Sequence, residues 1–174
     1  MKIVSLAALA TLLPLAAFAA GSEPATQTQT SADCTGAQVW DADKGACVDP
    51  QSSSLDDATR IEAARELASF GRPEDALRVL AALDAPETTD ALTVRGFATR
   101  KAGDLPRAMV FYEAALSLDP QNFLARSYMG QGLAEAGRID AARLQLAMIR
   151  EAGGRGTYPE RMLARTVETG RAAY

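Results

Sequence analysis

Two cysteines thirteen residues apart and no histidine delimit the side-chain chemistry open to this chain. Without histidine there is no His-dependent nucleophilic triad, no common His-containing zinc site and no ordinary general base that titrates near neutrality. Carboxylate or lysine catalysis stays open in principle, but the 22 acidic residues are scattered, with no paired-carboxylate or metal-ligand spacing. Gly153-Gly154-Arg155-Gly156 has the glycine content of a phosphate loop, yet no Lys-Ser/Thr follows it and it reads as a linker. The expectation is therefore a protein that is not an enzyme and needs no cofactor and no metal.

The remaining chemistry is oxidative. Cys34 and Cys47 are expected to form a disulfide, which in the chain-entropy account stabilises a loop of this length by about 3 kcal/mol. Compartment and cysteines agree. Met1-Lys2, an apolar run from Ile3 to Ala20 and the ending Ala17-Phe18-Ala19-Ala20 are the three parts of a secretory signal peptide, with cleavage expected after Ala19 or at the neighbouring Ala20. The competing reading, an uncleaved anchor, is opposed by Pro14, by the alanine content and by the Ala-Phe-Ala ending. A periplasmic or secreted location follows, where a disulfide persists.

Within the loop, Gln38-Val39-Trp40 reads as a short strand entering an Asp43-Lys44-Gly45 turn. The Cys34–Cys47 segment resembles a fragment of small cysteine-closed modules such as chitin-binding peritrophin-type domains, a resemblance of about fifteen residues. It leaves Trp40 two roles: stacking on a sugar ring, which would make a glycan a contact, or packing over the disulfide or onto neighbouring helices. The flanks, residues 20–33 and 48–54, are polar and read as a flexible tether and a hinge. The loop is thus expected to stand outside the rest of the fold.

Composition favours helices. Apolar residues make up 48% of the chain but aromatics only 6%, a mixture suited to close helix packing rather than to a β-sandwich. The balance of 18 basic against 22 acidic residues offers no general attraction for nucleic acid or for an anionic membrane.

From Leu55 onward the chain repeats itself. Phe70-Gly71-Arg72-Pro73-Glu74-Asp75-Ala76-Leu77 aligns with Ala102-Gly103-Asp104-Leu105-Pro106-Arg107-Ala108-Met109 and with Ala136-Gly137-Arg138-Ile139-Asp140-Ala141-Ala142-Arg143. The glycines fall 32 and 34 residues apart, and Ala76, Ala108 and Ala142 keep the same spacing. Each glycine sits where a helix must end in a left-handed residue, and each alanine sits one turn into the next helix, where a small side chain permits close approach. In the second unit Leu92, Gly96 and Thr99 share one helical face, and Leu105, Ala108, Tyr112, Ala115 and Leu116 share another. Pro120 closes it.

This pattern resembles the tetratricopeptide repeat (TPR) family over roughly Leu55 to Gly154, the best match being Gly96, Gly103, Ala108, Tyr112, Ala115 and Pro120. The resemblance implies an all-α, right-handed superhelical solenoid of about three helix pairs. The units are expected over 55–87, 88–121 and 122–154, in a repeat domain spanning 55–171. Thr157 and Glu160 form a capping-box pattern that opens a last helix within 158–171, which would bury Met162, Leu163 and Val167 and cap the open end of the stack. The outer units depart from the family pattern: Ala64 replaces a mid-helix glycine, and Gly153-Gly154 replaces a closing proline.

A solenoid of this family holds other proteins in a concave groove lined by the first helix of each pair. The groove residues it implies are Ile61, Arg65 and Ser69, then Thr93, Phe97, Arg100 and Lys101, then Ser127, Gln131 and Glu135. Phe97 follows the packing residue Gly96, so it either faces the groove beside two bases that suit an acidic peptide, or packs among the repeats. The expected activity is a non-catalytic protein–protein scaffold in the cell envelope. The alternative is a cell-wall-associated factor whose cysteine loop touches glycan.

Overall fold

Backbone punctuation organises the helices of residues 23–172, which the computed structural model describes. The expected signal peptide over 1–19 lies outside the described residues. Gly71, Gly103 and Gly137 all have φ between 76° and 96°, a region that costs an L side chain energy, and each turns the chain from one helix of a pair into the next. The pairs are α2 (Asp57–Ser69) with α3 (Pro73–Leu80), α4 (Thr89–Lys101) with α5 (Leu105–Leu118), and α6 (Phe123–Glu135) with α7 (Ile139–Glu151). A further helix, α8 (Tyr158–Thr169), follows them.

Helix starts are specified locally. The carboxylate of Asp56 accepts from Thr59 N–H at 2.8 Å, and Asp104, Asn122 and Thr157 cap α5, α6 and α8 in the same way. Pro73 sits in the first turn of α3, where its missing N–H costs nothing. Only half of the expected capping box forms. Thr157 accepts from Glu160 N–H, while the Glu160 carboxylate turns to Arg150 Nε at 2.7 Å, a charged partner that outcompetes a backbone amide.

The first helices α2, α4, α6 and α8 contact one another in a row, and each second helix packs on its own partner and on the next first helix. This is a helical-repeat solenoid. Ala76, Ala108 and Ala142 are fully buried at the contacts. A Cβ placed at Gly96 would lie 2.5 Å from the ring of the fully buried Tyr112, so this glycine lets α5 rest on the backbone of α4. At the far end Gly130 receives the methyls of Leu163, which carries α8 onto α6. Leu163 is fully buried, whereas Met162 and Val167 are half-exposed.

The N-terminal region departs from the expectation of a tether, a loop and a hinge. Residues 28–33 are folded: α1 (Gln29–Ala32) lies against α2. The buried Glu66 carboxylate accepts from Thr28 N–H and Oγ1, both at 2.7 Å, from Ser31 N–H at 2.9 Å, and from Ser31 Oγ. The Arg72 guanidinium donates to the carbonyls of Cys34 at 2.9 Å and Gly36 at 2.6 Å, and more weakly to those of Thr30 and Ser31. Such charge-assisted bonds offset ordering entropy that apolar contacts do not cover here.

The expected hinge over 48–54 is likewise clamped. Arg60 donates to Pro50 O at 2.9 Å and Ser52 O at 3.1 Å, and Ser54 Oγ donates to Asp41. The Cys34–Cys47 disulfide forms, tying the chain ahead of strand β1 (Val39–Asp41) to strand β2 (Ala46–Val48); the two strands make an antiparallel hairpin with Trp40 opposite Cys47. Val39 joins the core of α2–α4, so the loop docks on the repeats rather than standing outside them.

Candidate functional site

The face of the first helices expected to line a groove is filled largely by its own side chains. Phe97 is fully buried, and its ring stacks on Tyr128 with centroids 4.3 Å apart and planes 13° off parallel. Packing within the repeats is therefore its placement. Burial raises the Tyr128 phenol above its ordinary range, with the nearby Arg65 acting in the opposite sense. The Arg100 guanidinium lies 5.6 Å from the Phe97 ring centre and forms an ion pair with Glu135 of α6, tying two first helices together.

The other groove residues divide by depth. Ser127 and Gln131 are fully buried under α8: Ser127 Oγ donates to Pro159 O at 2.7 Å and accepts from Gln131 Nε2 at 3.0 Å. They are not available to a ligand in this arrangement, because α8 comes down on the face of α6 that carries them. Thr93 is buried too, donating to Thr89 O at 2.7 Å and accepting from Asn122 Nδ2. Ser69 donates to Arg65 O.

Ile61, Arg65 and Thr93 meet in a shallow depression with Asp90 and Leu124. Arg65 spends its donors on Glu62 and, at 3.0 Å, on the carbonyl of Glu23, so the N-terminal segment reaches α2 at this depression. Burial raises the Asp90 carboxyl, helped by Glu62 and Asp119. Lys101 is half-exposed, with its ammonium lowered by burial and by Arg100, and Glu135 is exposed. The solvent-facing part of the expected site thus reduces to Ser69, Lys101, Glu135 and the Arg65–Asp90 depression.

Sequence reasoning passed over Tyr128, Glu62 and Asp90. Their one signal is position, since each sits on a first helix within reach of the residues named. It also missed a cleft of about 560 Å³ between the N-terminal segment, the hairpin and α2. Trp40 lines this cleft, half-exposed, among Thr26, Gln29, Thr59 and Glu62.

No helix among the described residues is long and apolar enough to cross a membrane, and no group of three or more acidic, cysteine or histidine residues among them is placed to hold a metal. What the fold defines is a stack of antiparallel helix pairs presenting side chains in a row, an architecture for contact. The tetratricopeptide repeat family model matches residues 100–165, from the end of α4 into α8, and supports a tetratricopeptide repeat protein. No curated protein and no solved structure matches it. Repeats of this family generally mediate protein–protein interaction and are typically non-catalytic.

Proposed function

We propose that this protein is a non-catalytic scaffold or adaptor in the cell envelope that holds a peptide or helix of a partner protein along the concave side of its repeats. The observation that carries the proposal is the row of first helices α2, α4 and α6, whose rim offers Lys101 and Glu135 above a rigid floor made by the Phe97–Tyr128 stack. A preformed floor spares a ligand the cost of ordering it. Export is supported by the leader pattern over 1–19 and by the Cys34–Cys47 disulfide, a bond characteristic of oxidising compartments.

Site-specific photocrosslinking in the native organism tests this. A photoreactive residue at Lys101 should yield a discrete crosslinked protein in the envelope fraction, one that Glu135→Lys weakens. The same probe at Val110, exposed on the outer helix α5, should not. Equal products from both positions would remove the groove from consideration.

A second reading is favoured by the Trp40 cleft, whose indole and surrounding hydroxyl, amide and carboxylate groups suit a sugar ring. Pull-down on peptidoglycan or chitin that is lost in Trp40→Ala would support it, and absence of binding by the wild-type chain would end it.

A further inference from the structure

Residues 23–28 form an arm ahead of α1 that is hydrogen-bonded to α2 at its two ends and spans a cleft between them. At one end the Glu23 carbonyl accepts from Arg65 at 3.0 Å. At the other, Thr28 donates its N–H and its hydroxyl to the Glu66 carboxylate, both at 2.7 Å. Among the described residues, Pro24, Ala25, Thr26 and Gln27 find no hydrogen-bond partner. The cleft of about 560 Å³ is bounded here by Ala25 and Thr26 of the arm and by Thr59, Glu62 and Ala63 of α2. The arm carries no large apolar side chain, so little buried area holds it down. Its continuation is fixed more firmly. Thr30 is buried and accepts from the Trp40 N–H at 3.1 Å, so the chain can pivot ahead of α1 without unpacking the hairpin.

The start of the arm also lies where a partner segment would run. Arg65 lines the depression with Ile61, Asp90, Thr93 and Leu124, and its charge acts on Tyr128 of α6. Burial raises the Tyr158 phenol at the start of α8, with Arg65 opposing and the Glu23 carboxylate adding to the rise. In the row of first helices, α4 and α6 stand between α2 and α8. A carboxylate close to both ends of that row lies along its shared face. There Arg65 offers a donor for a main-chain carbonyl, and Glu66 an acceptor for an amide and a hydroxyl, contacts of the kind that hold a peptide backbone.

We infer that residues 23–28 are an internal ligand, which occupies the α2 end of the partner site and swings away when a partner segment takes over its contacts. That segment would offer a main-chain carbonyl to Arg65 and the amide and hydroxyl of a serine or threonine to Glu66. The inference rests on the groove reading and adds its regulation. Tethering gives the arm an effective concentration on the order of millimolar, so a partner must bring further contacts along α4 and α6 to displace it. Short segments that match only the arm's own bonds are thereby excluded.

The probe is a synthetic peptide of residues 23–29, titrated into the full mature chain and followed by nuclear magnetic resonance. Thr28→Pro in the chain removes both donors to Glu66 at once and should free the arm. That chain should bind the peptide saturably and at least about tenfold more tightly than the wild type does. Glu66→Gln in the same background, or Thr28→Val in the peptide, should reverse the gain. Far-ultraviolet ellipticity equal to that of the wild type checks that the repeats stay intact. If Thr28→Pro disturbs them, Thr28→Val in the chain, which removes the hydroxyl alone, should give the same ordering with a smaller gain. No binding to the freed chain, or equal binding to the wild type, would overturn the assignment. The Lys101 crosslink is an independent readout, and its yield should rise in Thr28→Pro. An unchanged yield would overturn the arm as a regulator and leave the groove standing. No Lys101 product in either chain would remove the groove and this inference with it.

Discussion

The two ends of the solenoid are closed by opposite means. At the N-terminal end, hydrogen bonds to Glu66 and from Arg72 and Arg60, with one disulfide, hold a strap and a hairpin against α2 and α3. At the C-terminal end, α8 lays Leu163 into the gap left by Gly130, with a buried bond from the Ser127 hydroxyl to the Pro159 carbonyl beneath it. A polar clasp recognises particular carbonyls and amides, so it can secure a segment with few large apolar residues. A packed helix needs apolar area and a small residue facing it, and in return it extends the repeat. In a solenoid whose units contact only their neighbours, the two closures should fail separately.

The largest effect is expected from Leu163→Ala, which opens a cavity at the packed end and should cost about 2–5 kcal/mol in urea unfolding. Hydrogen exchange should speed up in α6 and α8 and stay slow in α2 and α3. Equal loosening at both ends would break the comparison. Removing the disulfide by Cys34→Ser/Cys47→Ser should cost about 3 kcal/mol and act on the other end, exposing α1 and the hairpin to exchange. Glu66→Ala strips the strap of its acceptor and should cost about 1–3 kcal/mol, with protease cutting appearing near Thr28. If the strap stays resistant to cutting, the clasp is not what holds it.

The smallest effect concerns acid. The Asp57 carboxyl is held below its ordinary value of 3.8 chiefly by the Ala85 N–H, with the Asp84 N–H and Arg60 also contributing. A folded-state pKa below the unfolded one means stabilisation that is complete above the unfolded value and fades as pH falls through the folded one. Asp57→Asn should therefore flatten the loss of stability below about pH 4, and an unchanged acid limb would show that the bonds from Asp84 and Ala85 to Asp57 do not stabilise the fold.

The repeat was legible because its signals are local and periodic. Gly71, Gly103 and Gly137 do take the left-handed conformation, and the three aligned alanines are buried where spacing placed them. The docked strap was not legible, because hydrogen bonds between Glu66 and residues some 35–38 positions away leave no periodicity to find. The groove shows a third situation. The spacing that puts Phe97, Ser127 and Gln131 on first helices says nothing about depth. Depth is decided by Tyr128, 31 residues beyond Phe97, and by how far α8 descends on α6. Period reveals which face a residue shares, and tertiary neighbours decide whether that face meets water.

The hairpin that docks on α2 also carries the only tryptophan of the chain. Its indole borders a cleft formed with the strap, so its emission senses the polar clasp and nothing of α6, α7 or α8. Far-ultraviolet ellipticity, by contrast, sums over every helix. The molecule thus contains its own local optical gauge. A melt followed by emission and by ellipticity together would show two midpoints if the ends come apart one after the other, and one if they unfold as a unit.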